Sequence, residues 1–375
     1  MNGSRAVRPP RMAQPAIPRR FARRFLGGLA VLASFPTVGT AQIVTGTVRI
    51  EGTGAPARGA WIAVLDSLGE RRLAVLTDST GRFSVRVPGL GPVRLRAQLI
   101  GHADGESRVL DVGPGQSVAV ALSLRERALP LDAITVEAER HCDVTPESGA
   151  AAMLWEEVKK ALQGVSLTGR ANLVAYRVQR FERTFGLDNA VRRERLDTVT
   201  ARGDRPFTTP PPQILVEKGY VQGLESPSFY APDAEVLLSD GFAATHCFRA
   251  RRGRGETASM VGLGFEPNAD RKLSDVAGTL WIDTASAALR FLEFGYTGVD
   301  FGARTRELGG RLDFTRLETG AWIVQKWWIR GPVLQAPRAS TGGELGRRTI
   351  GAFMEAGAEV IEIVSNGGTG SGPDR

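Results

Sequence analysis

The sequence predicts a mainly β protein: an N-terminal β-sandwich, a short connecting helix and a C-terminal domain built from one curved antiparallel sheet. Two observations lead to this fold class. Residues 43–125 contain short runs of alternating apolar and polar residues, separated by Gly, Pro and Asp turns, which is typical of sandwiches. From about residue 170 onward, similar runs follow one another through tight turns, which favours a meander of hairpins.

The first 41 residues have the composition of an export signal. They hold seven arginines and no Lys, Asp or Glu, and an apolar run over 25–33 is followed by Gly39, Thr40 and Ala41. A basic segment, a short apolar run and a small-residue cleavage site are the parts of a secretory signal. The run is shorter than the about 20 residues that span a bilayer, which makes an uncleaved anchor the less favoured alternative. We therefore expect export to the periplasm, the cell surface or the medium.

The basic charge belongs mostly to this leader. The chain carries a formal charge of +8, of which the first 41 residues supply +7, leaving +1 for the remainder. A nearly neutral remainder removes the electrostatic argument for nucleic-acid binding. No later stretch approaches about 18 consecutive apolar residues, so we expect no transmembrane span.

The sandwich is predicted to contain six strands, followed along the chain by a connector. We expect these strands at 43–50, 60–65, 72–77, 82–87, 93–99 and 117–124. Between the third and fourth, Asp78 and Gly81 suit a tight turn, and Phe83 is the first core residue of the next strand. We interpret these three residues as structural and not as a binding site.

Several pieces of this region resemble the carboxypeptidase regulatory-like domain, a transthyretin-like, Ig-like sandwich. They are the opening Thr45-Gly46-Thr47-Val48, the segment 60–64 and the motif 77–83, and Gly101-His102 lies where the family often has Gly-Tyr. The resemblance covers residues 42–126 and implies an accessory module.

In carboxypeptidases this module accompanies a zinc domain that uses a His-x-x-Glu pair and a further His. None of His102, His141 and His246 is followed by Glu three residues later. That metallopeptidase chemistry is therefore excluded.

Residues 127–165 are predicted to be a connector that contains a helix over 146–163. Residues 128–138 resemble the segment that follows such modules in TonB-dependent outer-membrane receptors, whose barrel is too large for the residues that remain. The features that predict the helix are the start at Thr145-Pro146, the apolar stripe of Leu154, Trp155, Val158, Ala161 and Leu162, an exposed Glu156–Lys160 pair and a stop at Gly164.

The C-terminal β domain is predicted over 166–365, with a Gly-rich, disordered tail at 366–375. We expect strands at 172–180, 213–220, 257–265, 276–283, 288–298, 310–317, 321–330 and 357–364, with hairpin turns within 282–289 and 317–322. The block is similar to regions behind regulatory-like modules in uncharacterised bacterial envelope proteins. Residues 278–283 with 289–291 also resemble the half-barrel of lipoprotein carriers of the LolA type.

The two cysteines, Cys142 and Cys247, are predicted to form a disulfide because their number is even and the compartment is oxidising. Two unpaired, buried thiols are the alternative. Each cysteine also follows a histidine, His141 or His246, so a Cys2His2 zinc site is a third reading. Adjacent His and Cys rarely reach one ion together, which disfavours it.

No motif for catalysis, cofactor binding or metal binding is evident. The chain has no Gly-x-Ser-x-Gly elbow, phosphate-binding loop, dinucleotide fingerprint or Cys-x-x-Cys pair,. Asp233, Glu235 and Asp240 lie near His246 in sequence, but their spacing matches no ligand set. We interpret them as a polar loop, and we predict no catalytic residue, cofactor or metal.

Aromatic residues of the C-terminal domain are the remaining candidates for a site. The possible ligand-facing aromatics are Trp281, Trp322, Trp327 and Trp328. Trp327 and Trp328 must face opposite sides of a strand. They could line a groove for a sugar, a lipid or an apolar peptide, although a hydrophobic core is the favoured interpretation.

Two functional hypotheses follow. The favoured one is an exported, non-enzymatic binding or scaffold protein of the bacterial cell envelope, whose partner is a glycan, an apolar ligand or an outer-membrane protein. The alternative is a carbohydrate-binding or hydrolytic protein that uses an aromatic face of the C-terminal domain. It rests on the fold that transthyretin-like modules share with glycan-binding domains, and fold alone does not determine function.

Overall fold

The computed structural model describes residues 42–87, 89, 91–127, 142, 149–171, 173–202, 206–223, 227–335 and 348–364. The predicted export signal, residues 128–138, His141, Thr145-Pro146 and the predicted tail lie outside the described residues. Within the described part, every helix falls short of the length and apolarity that a membrane span requires.

The N-terminal part is a sandwich of two sheets. Its strands are β1 Ile43–Ile50, β2 Trp61–Leu65, β3 Arg71–Leu76, β4 Arg82–Arg86, β5 Arg94–Gln98, β6 Gly105–Glu106 and β7 Ser117–Leu124. One sheet has the order β4-β1-β7 and the other β3-β2-β5-β6. Alternate residues such as Val48, Ile62 and Leu95 form the core between them. The predicted N-terminal β domain is confirmed.

The turn before β4 is organised by Asp78. Its Oδ1 accepts hydrogen bonds from the backbone N–H groups of Thr80 (2.8 Å) and Arg82 (2.9 Å). Gly81 has a φ of +76°, and a Cβ there would lie 2.5 Å from the carbonyl oxygen of Val48. Only glycine combines that left-handed conformation with so close an approach. Phe83 is buried in the sandwich core.

The C-terminal part is one nine-stranded antiparallel sheet. Its strands are β8 Ala175–Phe185, β9 Val191–Arg202, β12 His246–Arg252, β13 Met260–Pro267, β14 Asp275–Asp283, β15 Ala288–Thr297, β16 Gly309–Arg316, β17 Trp322–Gln335 and β18 Thr349–Val364. The order is β12-β13-β14-β15-β16-β17-β18-β8-β9. Two short strands, β10 Val221–Gln222 and β11 Ser228–Phe229, pair separately. The mainly β fold with a large antiparallel sheet is confirmed, as are the hairpin turns after β14 and β16.

In the described residues, four α-helices accompany this sheet. They are α1 Gly149–Arg170, α2 Pro212–Lys218, α3 Ala234–Leu237 and α4 Asp240–Thr245. The predicted apolar stripe of α1, including Leu154, Val158 and Leu162, is fully buried. It packs with Leu263, Leu280 and other sheet residues in one continuous core.

The helix does not end at Gly164, as the sequence predicts, but continues to Arg170. A Cβ on Gly164 would lie 2.7 Å from Cδ1 of Trp322. Glycine is therefore needed here for close packing of α1 on β17, and it does not terminate the helix.

Residues 213–220, predicted as a strand, mostly form α2. A short apolar run cannot be assigned to strand or helix by its pattern alone. Pro212 occupies the first helical turn, where its missing N–H costs nothing, and Gly219, with a φ of +79°, follows the last turn. The strands β9 and β12 were not predicted.

Candidate functional site

A buried polar cluster joins the sandwich to α1. Nζ of Lys160 donates to the carbonyl oxygen of His102 (2.6 Å) and to Oε1 of Glu157 (3.0 Å), and it lies 3.3 Å from Oδ1 of Asp104. Oε2 of Glu157 accepts from the N–H of Gly101 at 2.7 Å. A buried charge is tolerated only with such partners, so the cluster fixes the sandwich against the helix.

The predicted Glu156–Lys160 pair is therefore wrong. Lys160 points into the boundary with the sandwich, and the exposed carboxylate of Glu156 pairs with Lys159 at 2.6 Å. The helix is longer than predicted. A smaller part of its surface is exposed to solvent than predicted, because the sandwich covers part of the surface that an isolated helix would expose.

Two hairpin turns of the large sheet also pack closely against the sandwich. A Cβ on Gly59 would lie 2.1 Å from the carbonyl oxygen of Gly320, and one on Gly101 would lie 2.5 Å from Cβ of Ala287. Both glycines have positive φ, so the close approach and the backbone conformation each require them. The two β parts are thus held together at several points.

Between them lies a cleft of about 1080 Å³. One wall consists of Trp61 and residues 71–74 of the sandwich, and a second is the side of α1 that carries Leu167 and Arg170. The third wall is formed by α2 and the residues 238–241. We call this space the interdomain cleft. Its volume slightly exceeds the range of small-molecule sites, about 300–1,000 Å³.

The wall formed by β3 is the free edge of a sheet. Among the described strands, β3 pairs only with β2. The N–H of Thr77 donates to the carbonyl oxygen of Ala60 at 3.0 Å, so the alternation of an antiparallel ladder turns the N–H and C=O groups of Ala74 and Leu76 away from β2. Because four consecutive residues, 71–74, line the cleft, the cleft follows this edge.

The other residues that line the cleft include both apolar and charged side chains. Trp61 is buried in a small cluster against which Leu167 packs, and the guanidinium carbon of Arg71 lies 5.1 Å from the centre of its ring. The charged residues that line the cleft are of both signs: Arg71, Arg72, Lys159, Arg170, Glu217, Glu235 and Asp240. Mixed charge does not favour a polymer with a single charge sign.

A smaller cavity of about 280 Å³ adjoins the cleft at the end of α1. Ser166, Arg170 and Glu235 line both spaces. Its other walls include Leu312 and Trp322, so this is where the structure places one of the four candidate tryptophans.

The four tryptophans lie on two faces of the sheet. Trp322 is 2% exposed under α1, and half-buried Trp327 lies on the same face, its ring centre 5.0 Å from that of Phe207. On the opposite face, Trp281 is 8% exposed and its Nε1 donates to Glu293 at 2.8 Å. Trp328 is half-buried there. They therefore do not share one surface.

His246 belongs to a buried network that the sequence did not reveal. Its Nε2 lies 3.2 Å from Oδ1 of Asp275, and its Nδ1 lies 3.1 Å from the carbonyl oxygen of Phe242. Arg271 forms an ion pair with Asp275 and donates to the carbonyl oxygens of Leu215 (2.9 Å) and Val216 (2.8 Å). The network thereby anchors the end of α2 to the sheet.

The carboxyl of Asp275 is fully buried. Burial pushes its pKa upward, but hydrogen bonds from His246, Arg271 and the N–H of Val276 outweigh this effect and keep the pKa below its usual value. No signal in the sequence connects Asp275 with His246.

The acidic residues that lie near His246 in sequence have other roles. Oδ1 of Asp233 accepts from the N–H of Val236 at 2.9 Å and caps α3, and Asp240 is in the first turn of α4. In the part of the chain that the structure describes, no three His, Cys, Asp or Glu side chains are arranged to hold a metal ion.

Cys142 and Cys247 form a disulfide, as predicted. It links the connector to the first residues of the edge strand β12. Because both sulfur atoms are consumed, the alternatives of free thiols and of a Cys2His2 zinc site are wrong.

Comparison with known families supports the N-terminal assignment. Residues 43–125 match the model of the carboxypeptidase regulatory-like domain, which confirms the resemblance and places this domain on the sandwich. No curated protein matches the chain. The likeness to LolA-type carriers finds no support.

Three solved structures show partial similarity. The Bacillus anthracis TIE protein is 9% identical over 44% of this chain and 26% of its own, with a TM-score of 0.20. The Streptococcal ancillary pilin is 13% identical over 52% of this chain and 60% of its own, with a TM-score of 0.19. A putative membrane-associated protein of unknown function from Bacteroides fragilis is 12% identical over 86% of this chain and 99% of its own, with a TM-score of 0.18. This chain spans about a quarter of the first protein and 60% of the second, and scores this low carry no functional argument.

Proposed function

We propose that this protein is an exported, non-enzymatic binding protein of the bacterial cell envelope, and that its interdomain cleft holds an extended segment of another polypeptide. The observation that carries the proposal is the free edge of β3 along the cleft. Ala74 directs its backbone N–H and C=O groups out of the sheet at this edge. Another polypeptide in an extended conformation offers matching backbone donors and acceptors.

In strand addition of this kind, backbone and side chains contribute differently to binding. Main-chain hydrogen bonds supply affinity, and pockets for alternate side chains supply specificity. Here exposed Leu73 and half-buried Leu167 offer apolar surface, while the basic and acidic residues that line the cleft can fix the direction of the bound segment.

The fixed boundary between the two β parts also supports binding. Ordering a mobile site costs free energy on association, and a preformed site avoids that cost. The buried contacts of Lys160 and Glu157 hold one wall of the cleft against another before any ligand arrives.

The leader composition and the disulfide support an exported protein. Disulfides persist outside the reducing cytoplasm, and the cysteine pair joins two segments of this chain. An outer-membrane or other envelope protein is therefore the partner class that we favour.

The carbohydrate-binding or hydrolytic alternative is less well supported. A sugar stacks on an open ring face, whereas Trp322 is 2% exposed and Trp281 is 8% exposed. The tryptophans also divide between two faces of the sheet, so they do not make one platform.

The test measures binding of the purified chain, from residue 42 onward, to an array of short random-sequence peptides and to a glycan array. Ala74→Pro removes the outward N–H at the free edge, and Leu73→Asp places a charge on the cleft wall. We expect the parent chain to bind peptides with alternating apolar residues, and each variant to bind about tenfold more weakly, a loss of about 1.4 kcal/mol.

Leu68→Asp is the matched control, because Leu68 lies on the same hairpin, is 81% exposed and does not line the cleft. It should bind as the parent does. Glycan binding without peptide binding would favour the alternative. Turnover in a broad hydrolase screen, lost when one acidic residue is changed, would overturn the non-enzymatic assignment.

A further inference from the structure

The strand β9 forms one edge of the nine-stranded sheet. In the described part of the chain its only ladder partner is β8. Every residue from 191 to 198 is exposed, so no other described element covers either face of the strand there. Free edges of this length are templates for pairing with another chain, and charged side chains such as those of β9 oppose every register in which like charges meet.

We propose that β9 pairs with β9 of a second copy of this chain, antiparallel, about a two-fold axis that passes midway between Leu196 and Leu196 of the second copy. The pairing would join two nine-stranded sheets into one continuous sheet. This proposal is independent of the interdomain cleft, which lies at the boundary with the sandwich.

Symmetry limits how two copies of one strand can pair. A two-fold axis perpendicular to the sheet makes the strands antiparallel and keeps each face of the sheet on its own side. Because side chains alternate between the faces, each residue must lie opposite a residue of the same face. One residue of the strand therefore lies directly opposite its own copy, with the axis midway between the two, and this residue is the centre of the pair.

The charges of β9 discriminate among these axes. Centring the pair on Arg192, Arg193, Glu194, Arg195 or Asp197 places identical charges directly opposite each other, which is destabilising. Centring it on Leu196 avoids this. A centre at Thr198 also avoids it, but it pairs only residues 194–202, whereas the Leu196 centre pairs residues 191–201.

With the axis at Leu196, charge alternation continues from one copy into the next. Within one copy, Glu182 lies opposite Arg195, and Arg180 forms an ion pair with Asp197. The proposed register sets Arg195 opposite Asp197 of the second copy. Four charged side chains then lie side by side across the junction, on neighbouring strands: Glu182 and Arg195 of one copy, followed by Asp197 and Arg180 of the second copy. Their charges alternate in sign.

The other face gives an apolar row at the same place. Leu196 lies opposite Phe181 within the chain and is 52% exposed. Pairing would set Leu196 against Leu196 of the second copy, with a Phe181 ring on each side. An exposed leucine in the middle of a charged edge thereby gains a partner, and cross-strand pairs of this kind stabilise sheets.

Sedimentation equilibrium of the purified chain from residue 42 onward tests the proposal. We expect a dimer whose dissociation constant rises at least about tenfold in Leu196→Lys and in Leu196→Glu, since each variant sets like charges opposite each other. An equimolar mixture of the two should dimerise again, because Lys then faces Glu. Thermal unfolding followed by circular dichroism confirms that each variant is folded.

Leu68→Lys serves as the control and should dimerise as the parent does, since Leu68 is 81% exposed on a hairpin of the sandwich and does not belong to β9. A parent chain that stays monomeric over the concentration range would overturn the proposal. So would dimers that persist in both single variants, or a mixture that fails to dimerise. Peptide binding by the cleft is unaffected by the Leu196 variants if both proposals hold, so the two can fail separately.

Discussion

Nζ of Lys160 lies 3.0 Å from Oε1 of Glu157, and both side chains are less than 10% exposed where α1 meets the sandwich. The two residues form a buried ion pair at the boundary between the two β parts. Its remaining hydrogen bonds go to Gly101 and His102 of the sandwich. Loss of either charge should therefore weaken the whole chain and not only the helix.

Glu157→Gln tests this directly. The variant removes the buried carboxylate beside Lys160 and leaves the more exposed Asp104, 3.3 Å away, as its counter-charge. Breaking a buried pair typically costs about 3–5 kcal/mol. We expect a loss of that order in the free energy of unfolding, measured by urea denaturation.

The adjacent Glu156→Gln is the matched control. Glu156 pairs with Lys159 at the surface, where such pairs contribute about 0–1 kcal/mol. Equal effects of the two variants would show that the buried pair has no special role. The double variant Glu157→Leu, Lys160→Met should recover part of the loss, because it leaves no unpaired buried charge.

This pair also shows where sequence reasoning stops. The alternation of apolar and polar residues predicted most strands of the sandwich and of the large sheet, because one face of each strand is buried. The helical stripe of α1 was predicted for the same reason. The burial of Lys160 could not be predicted in this way, because the carbonyl oxygen that accepts its hydrogen bond belongs to His102, 58 residues away along the chain.

Other differences have similar causes. The strand β9 was not predicted because charged residues occupy both of its faces, so the apolar alternation that predicts a strand is missing. The cleft depends on how two β parts pack, and the pairing of Asp275 with His246 depends on the register of β14 beside α4. No local pattern encodes either relationship.

A second prediction concerns Gly164. Glycine in the middle of a helix usually costs about 0.5–1 kcal/mol relative to alanine, so Gly164→Ala would normally stabilise the helix. Here the added Cβ would lie 2.7 Å from Cδ1 of Trp322. We expect the opposite sign, a loss of about 1–3 kcal/mol from overpacking, in the same urea measurement.

Gln163→Ala, a change at the neighbouring, half-buried position, should alter the free energy of unfolding much less. If Gly164→Ala instead raised the stability of the protein, the close packing of α1 on β17 would be wrong.

The disulfide gives a third prediction. The cysteines are separated by 105 residues, and closing a loop of that length stabilises a fold by about 4–5 kcal/mol in the chain-entropy model. Cys142→Ser combined with Cys247→Ser should lower the midpoint of guanidinium unfolding by the corresponding amount. Reduction of the parent chain should have the same effect, and adding a reductant to the double variant should change nothing further.

The last prediction follows from the buried carboxyl of Asp275. Because the folded state holds the pKa of Asp275 below its usual value, the ionised form stabilises the fold at pH values above the unfolded pKa of about 3.9. That contribution is lost as the pH falls through the lower, folded pKa. Asp275→Asn should therefore destabilise the protein strongly near neutral pH, and the difference from the parent in the free energy of unfolding should shrink in acid.

Asp270→Asn is the matched control. It lies at an exposed position five residues away in sequence and should follow the parent at every pH. A difference between Asp275→Asn and the parent that stayed constant from neutral to acid pH would show that ionisation of Asp275 does not stabilise the network that anchors α2.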